Sequence, residues 1–286
     1  MKYLFKNPYS LQILSSFIFA ILGMQIKLLS EVLSIESIVF YRCFFGTILL
    51  FILIIIRNKK KKKNFLKTTN WSIQMLRACF GTLAMLFGYS ALTMIPLAQA
   101  STLSFTKVFF VSFLAYFFLK EKIRYQIIYL AIIGFIGIYM MINPQEFESI
   151  NGSALALISA FFVAAGIISV SFLAQTNNTI TILFYHSFFS TILCMIFFYT
   201  KIDILVTESL ISLFIITVTA LVGQYFNASS YRDSEANIVV LFGYARIVFA
   251  MIIGFLIFDE NVGLNFLMGL ILIIFSSVLT SRLKTH

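Results

Sequence analysis

Long apolar runs recur along the whole chain and are separated only by short charged or turn-forming stretches. A helix needs roughly 20 mainly apolar residues to cross a bilayer, so about ten such runs account for most of the sequence. The runs are too long and unbroken for the alternating strands of a membrane β-barrel, which leaves helices to satisfy the backbone in lipid. Since ten such helices use ~200 of the 286 residues, no room remains for a separate soluble domain, and the low charge of 11% agrees with this. The sequence therefore predicts an all-α integral membrane protein.

Ten transmembrane helices are predicted, near residues 9–29, 37–56, 72–92, 97–119, 125–143, 152–174, 180–199, 207–230, 236–258 and 263–281. The three prolines, Pro8, Pro96 and Pro144, all fall at the ends of these helices, so any unwinding inside a helix is expected at glycine. Three cysteines, Cys43, Cys79 and Cys194, lie in apolar runs without metal-ligand spacing. We expect them to be buried apolar residues, and we expect neither a metal nor a cofactor.

The charges between the helices predict the orientation. With the N-terminus inside, the basic loop residues collect on the cytoplasmic side, and Arg77 falls at the inner end of the third helix. Only Lys201 lies in an outer loop, together with Glu31, Glu36, Glu146, Glu148, Asp203, Glu208, Asp259 and Glu260. Because cytoplasmic loops are enriched in lysine and arginine, both termini are predicted to be cytoplasmic. The lysine run 59–63 either anchors this orientation or binds anionic lipid headgroups.

An internal repeat divides the chain into residues 1–145 and 146–286. The segment YRCFFGTIL at 41–49 returns as YHSFFSTIL at 185–193. A second match aligns the run ending at Glu121 with the run ending at Glu260, and it places Lys107 opposite Arg246. Five helices in each half mean that the second half enters the membrane inverted, an arrangement typical of alternating-access transporters.

Three segments carry a resemblance to a known family: RACFGTLAMLFGYSALTMIPLAQASTLSF at 77–105, FLAYFFLKEKI at 113–123 and AIIGFIGIYMMINP at 131–144. Together with the repeat, they make the chain similar to the EamA-type ten-helix members of the drug/metabolite transporter superfamily. The resemblance implies a bacterial inner-membrane transporter with a central cavity, lined mainly by the first, third, fourth, sixth, eighth and ninth helices. Lys107 departs from the family, which often has a proline in the middle of the fourth helix.

Four cations lie within predicted helices, Lys27, Arg42, Lys107 and Arg246, whereas no Asp or Glu lies deep in any of them. A central charge costs at least ~2.5 kcal/mol and is rarely left facing lipid. Lys107 and Arg246 fall near the middle of their helices, so an anionic group on a substrate is their expected partner. Arg42 suits either gating or a structural role, and Lys27 lies near a helix end, where it can reach the headgroups or Glu31.

Further polar residues complete the predicted binding site. Gln224 and Asn227 share one face of the eighth helix, while Tyr89 lies on the third helix and Tyr244 on the ninth. The alternative for these groups is hydrogen bonding between helices. His186 is the only histidine within a helix and is our candidate for proton coupling, because histidine changes charge near neutral pH.

These observations predict a secondary transporter of a small anionic or zwitterionic metabolite, such as an amino acid or S-adenosylmethionine. The alternatives are a multidrug-type exporter and a translocator of polyprenyl phosphate or lipid. An enzyme is not expected, since no HExxH motif or Asp-rich loop is present. We expect the metabolite and the lipid bilayer to be the partners of the chain, and we expect no binding of nucleic acid. The sequence is compatible with either a monomer or a homodimer.

Overall fold

The computed structural model describes residues 7–61, 66–68, 70–121, 125–141, 149–204, 207–232, 234–258 and 264–281, and the regular elements in these ranges are all helical. The α-helices are α1 (Pro8–Leu29), α2 (Ile35–Lys61), α3 (Trp71–Met94), α4 (Leu97–Leu103), α5 (Lys107–Leu114), α6 (Tyr125–Met141), α7 (Ile150–Ala174), α8 (Thr179–Phe198), α9 (Thr207–Ser230), α10 (Ala236–Phe242), α11 (Ala245–Phe258) and α12 (Leu264–Ser281).

Side-chain caps explain where several of these helices begin. The Asn7 side chain accepts a hydrogen bond from the Tyr9 N–H at 3.0 Å, and Pro8 then occupies the first turn of α1, where its missing N–H costs nothing. Ser149 caps α7 by accepting from the Gly152 N–H at 3.2 Å. Polar residues next to apolar runs therefore determine these boundaries, as expected for N-caps.

The predicted class, an all-α membrane protein, is confirmed. Within the described ranges, eight helical segments are long and apolar enough to cross a membrane: Pro8–Leu29, Ile35–Asn58, Trp71–Met94, Gln99–Leu119, Ile150–Ala174, Thr179–Lys201, Ser209–Ser230 and Ala236–Ile257. A shorter apolar helix covers Tyr125–Gly137. Helices occupy all ten predicted places, but a count of ten membrane crossings stays a prediction.

The fourth and ninth predicted helices are each interrupted. The fourth changes to a 3-10 turn at Ser104–Thr106 between α4 and α5, and the ninth breaks at 243–244 between α10 and α11. Our expectation that unwinding occurs only at glycine is wrong for the fourth helix. There the Ser104 hydroxyl donates to the Ser101 carbonyl at 2.7 Å and the Thr106 hydroxyl donates to the Leu103 carbonyl at 2.8 Å, so hydroxyl groups compete with the regular helix bonds.

The two interruptions pack against each other. A Cβ atom on Gly243 would lie 3.2 Å from the Phe105 ring and 2.9 Å from the Val240 carbonyl oxygen, so glycine permits this approach. The Phe105 and Tyr244 rings are also in contact, with centroids 5.1 Å apart. Lys107 and Arg246 directly follow these interruptions and are therefore brought to the same region of the protein.

Helix packing follows a pattern that is unchanged when the two halves are exchanged. Helix α1 packs on α9 just as α7 packs on α3, and α1 packs on α11 as α7 packs on α5. The pairs α2 with α8 and α6 with α12 each join corresponding helices. This pattern is what two similar five-helix halves related by a two-fold axis would give.

Much of the charge that sets the predicted orientation lies outside the described residues: Lys2, Lys6, Lys62, Lys63, Lys122, Arg124, Glu146, Glu148, Asp259, Glu260, Arg282 and Lys284. One described acid, Asp203, joins the two halves beyond α8. Its carboxylate accepts from the Ser34 N–H at 2.8 Å, the Ser34 hydroxyl at 2.7 Å and the Ser37 hydroxyl at 3.0 Å. The Tyr41 hydroxyl donates to the Asp203 carbonyl at 2.8 Å.

Asp203 is expected to make stability depend on acid. Hydrogen bonds from the Ser34 hydroxyl, and next from the Ser34 N–H, hold the pKa of this carboxyl below its ordinary 3.8. A carboxyl group whose pKa is lowered by folding stabilises the fold at pH values above its ordinary pKa. This stabilisation is lost as the pH falls through the pKa of the folded protein. Between about pH 6 and about pH 3, the melting temperature should therefore fall less in Asp203→Asn than in the wild type.

The matched control for this measurement is Glu36→Gln. Glu36 meets Lys201 at 3.4 Å in a pair whose lysine is 65% exposed, and such pairs contribute little to stability. An acid dependence in Asp203→Asn equal to that of the wild type would contradict the role assigned to Asp203.

Candidate functional site

A central cavity of about 200 Å³ lies between the two halves. Its walls come from α1, α3, α4, α7, α9 and the start of α11, the helices that the family resemblance implies. Two further helices contribute: α2 supplies Arg42, and α8 supplies His186 together with Ile182 and Leu183. The second and seventh predicted helices therefore belong to the site, which the resemblance alone did not indicate.

Seven of the eight predicted site residues line this cavity: Arg42, Tyr89, Lys107, His186, Gln224, Asn227 and Arg246. They come from six different helices, so folding brings together groups that are far apart in the chain. Their presence in one cavity is a finding, whereas their role in binding stays a prediction.

Lys107 and Arg246 occupy matching positions next to the two helix interruptions. The Lys107 ammonium lies 4.2 Å from the Phe105 ring centroid, and the Arg246 guanidinium lies 5.8 Å from the Phe19 ring centroid. Lys107 is 9% exposed, and the two cations repel each other. Among the described residues no carboxylate pairs with either, so aromatic faces are the main compensation for their charge.

Arg42 is held by side chains of α3. Its guanidinium donates to the Tyr89 hydroxyl and to the Met85 sulfur, and it lies 5.9 Å from the Tyr89 ring centroid. Arg42 is only 5% exposed. These contacts fix the position of the guanidinium but do not neutralise it, because neither partner carries a negative charge.

The polar face of α9 is partly used in packing. The Asn227 amide donates to the Gln12 side-chain oxygen at 3.5 Å, and the Ser230 hydroxyl donates to the same oxygen at 2.8 Å. The buried Tyr231 hydroxyl has no hydrogen-bond partner among the described residues. Hydrogen bonding between helices, the alternative considered for these groups, thus accounts for part of Asn227, while Gln224 and Tyr231 face the cavity.

Tyr244 is a correction, because it does not line the cavity. Its side chain is 1% exposed and donates to the Ala131 carbonyl at 3.0 Å. A Cβ atom on Gly134 would overlap the Tyr244 ring, so the ring fills the space that this glycine leaves. Tyr244 therefore fastens the ninth predicted helix to α6, although it lies two residues from Arg246.

Arg77 is the cavity residue that our sequence analysis missed, since we placed it at the inner end of a helix. It lies six residues into α3, which is about 9 Å along the helix axis, and it lines the cavity. Its neighbours at intervals of four residues, Gly81, Met85 and Tyr89, line the cavity as well. This helical spacing, read from Tyr89 back towards the N-terminus, is the signal that would have found Arg77.

The cavity thus contains four cationic side chains, Arg42, Arg77, Lys107 and Arg246, and no Asp or Glu among the residues described as lining it. The Nε atoms of Arg77 and Arg246 are buried and have no hydrogen-bond partner in the described part of the chain. Buried charges are normally paired. Chemically, the arrangement is a binding site for negatively charged groups.

The EamA-like transporter family matches twice, at residues 7–143 and 150–282. The pseudopaline exporter CntI of Pseudomonas aeruginosa (strain UCBPP-PA14) is 28% identical over 98% of both chains. The S-adenosylmethionine uptake transporter of Rickettsia prowazekii (strain Madrid E) is 26% identical over 83% of this chain and 80% of its own length.

A solved crystal structure has the same fold, with a TM-score of 0.71 at 15% identity over 97% of this chain and 98% of that one. An uncharacterized transporter of Helicobacter pylori (strain ATCC 700392 / 26695) is 25% identical over 94% of this chain and 93% of its own length. The similarity therefore extends over both halves and is not confined to one segment.

Proposed function

The chain belongs to the EamA-like transporter family, and from this premise we propose that it is a secondary transporter of a small metabolite with an anionic or zwitterionic group. Transport proceeds by alternating access, as the two halves rock around the central cavity. In this proposal the two halves meet near residue 145 and have inverted orientations in the membrane. The protein lies in a bacterial inner membrane, with both termini on the cytoplasmic side.

The observation that carries the proposal is the charge of the cavity. Lys107 and Arg246 lie at the two helix interruptions and have no carboxylate partner among the described residues. In a site of low polarity such groups favour a bound anion over an empty cavity. A substrate carboxylate between them, oriented by Tyr89, Gln224 and Asn227, would supply the missing charge.

The related transporters support a small polar cargo without identifying it. One is named for the export of pseudopaline and another for the uptake of S-adenosylmethionine, so relatives of similar identity move different compounds in opposite directions. No glycine-rich ATP-binding loop is present in the sequence, which favours an ion gradient or exchange as the source of energy.

The test is a thermal-stability screen of the detergent-purified protein against metabolites grouped by charge. A ligand that binds only the folded protein raises its melting temperature, so acids and zwitterions should stabilise it more than cations or neutral compounds do. The best ligand is then tested for flux into proteoliposomes. Stabilisation by cationic or apolar compounds alone would contradict the proposal and favour a multidrug exporter, whereas competition by phospholipid headgroups would favour a lipid translocator.

His186 is the proposed proton-coupling group. Its ring is 2% exposed, and its Nδ1 lies 3.4 Å from the Ser190 hydroxyl. It lines the cavity beside Arg77, where a cargo anion and a proton on the imidazole would attract each other and so bind together. We expect proteoliposome uptake by the wild type to depend on an imposed pH gradient and uptake by His186→Ala to lose that dependence.

The control for His186 is Ser190→Ala, which removes the hydroxyl that contacts His186 at 3.4 Å and Thr82 at 2.8 Å but keeps the imidazole. Its pH dependence should match that of the wild type. If uptake by His186→Ala depends on the pH gradient as strongly as uptake by the wild type, a group other than His186 carries the proton.

A further inference from the structure

The cavity holds a second group of polar residues, whose contacts differ from those of Lys107 and Arg246. Arg77 on α3 and His186 on α8 both approach Gly81, where a Cβ atom would overlap the Arg77 Nη1 and the His186 ring. Gly166 on α7 lies near the same Nη1, with its Cβ position 3.5 Å away, an ordinary van der Waals distance. The absence of a side chain at Gly81 thus makes the space that the Arg77 guanidinium occupies.

Arg77 has no acceptor in the described part of the chain. No hydrogen bond from its side chain is formed there, and its buried Nε has no partner. Arg42, another cation of the site, repels it. A guanidinium presents five donors, and those left unpaired in a membrane interior are costly. Arg77 therefore has the same unmet need for an anion as the pair at the helix interruptions.

The two cationic groups contact different residues. The Arg77 Nη1 lies beside Gly81 on α3 and near Gly166 on α7. Arg246 lies over the Phe19 ring and near Gly23 on α1, and Lys107 lies over the Phe105 ring. These contacts share no residue, so one carboxylate held between Lys107 and Arg246 would leave Arg77 without an anion.

We propose that the cavity has two anion subsites, one at Arg77 beside His186 and one at Lys107 and Arg246, and that the cargo carries two separated acidic groups. This inference rests on the proposed function and narrows its substrate class from anionic or zwitterionic metabolites to compounds with at least two acids. A cargo with one carboxylate would leave one end of the cavity unneutralised, because no Asp or Glu is described among the lining residues.

The experiment compares linear dicarboxylates from succinate to suberate with monocarboxylates of equal length. Dissociation constants are obtained from the concentration dependence of the melting temperature of the purified full-length protein. We expect at least tenfold tighter binding of a dicarboxylate than of its matched monocarboxylate, and the chain length of the best dicarboxylate reports the distance between the subsites. In Arg77→Gln this preference should disappear while monocarboxylate binding is retained. Arg57→Gln, at the end of α2 and away from the cavity, should behave as the wild type.

The possible outcomes separate this inference from the proposed function. Equal binding of mono- and dicarboxylates to the wild type would overturn the second subsite and leave the proposed function standing, while failure of every acid to bind would overturn both. A dicarboxylate preference that survives in Arg77→Gln would remove Arg77 from the site. If Arg77→Gln does not fold, Arg77→Lys keeps the charge but loses the guanidinium fork and should reduce the preference, while the wild-type comparison remains decisive.

Discussion

Replacement of both Lys107 and Arg246 by methionine is expected to abolish transport while leaving the protein in the membrane. A hydrogen bond to a charged group contributes about 1.5–3 kcal/mol, so loss of two such bonds to a substrate anion should lower the transport rate at low substrate concentration by at least ~100-fold. Methionine is unbranched and apolar and fills irregular space, which makes it suitable for the positions against Phe105 and Phe19. The measurement is uptake into proteoliposomes at equal protein density.

Stability separates a binding role from a structural one in this experiment. Removal of two unpaired buried charges should leave the melting temperature unchanged or raise it, whereas loss of a structural contact would lower it. The matched control, Arg57→Met with Lys201→Met, removes two cations outside the cavity and should transport normally. Unimpaired transport by Lys107→Met with Arg246→Met would mean that these cations do not contact the cargo.

Local sequence patterns were sufficient to predict the helices and the matching cations. Apolar runs bounded by caps such as Asn7 and Ser149 specify helix ends through local hydrogen bonds. The repeat places Lys107 opposite Arg246, and the structure puts both beside the helix interruptions. These features depend on neighbours along the chain or on the comparison of one half with the other, and both are visible in the sequence.

What the sequence could not predict depends on packing between distant segments. Arg77 was assigned to a helix end because basic residues usually lie there, yet Gly81 makes room for it in the cavity beside His186 of α8. Tyr244 was assigned to the cavity from its distance to Arg246, but Gly134 on α6 receives its ring. In both cases a glycine leaves the space that a large side chain fills: Gly81 lies one turn along the same helix as Arg77, and Gly134 lies on a different helix from Tyr244.

The second large effect is expected from Gly81→Ala, which adds a single methyl group. Its Cβ would overlap both the Arg77 guanidinium and the His186 ring, so at least one of these side chains must move away. We expect at least a tenfold loss of transport, since each tenfold step in affinity corresponds to only about 1.4 kcal/mol and overpacking of a dense site typically costs about 1–3 kcal/mol.

Gly166→Ala is the matched control, because it adds the same methyl group to the same cavity on the opposite side of Arg77. Its Cβ would lie 3.5 Å from the Arg77 Nη1, an ordinary van der Waals distance, so transport should change little. Both variants are compared for uptake and for melting temperature in proteoliposomes. Because Gly81→Ala displaces Arg77, His186 or both, whereas Gly166→Ala displaces neither, a loss confined to Gly81→Ala assigns transport to the arrangement of these two side chains. Equal rates in the two variants would instead mean that Arg77 can move without consequence for the cargo.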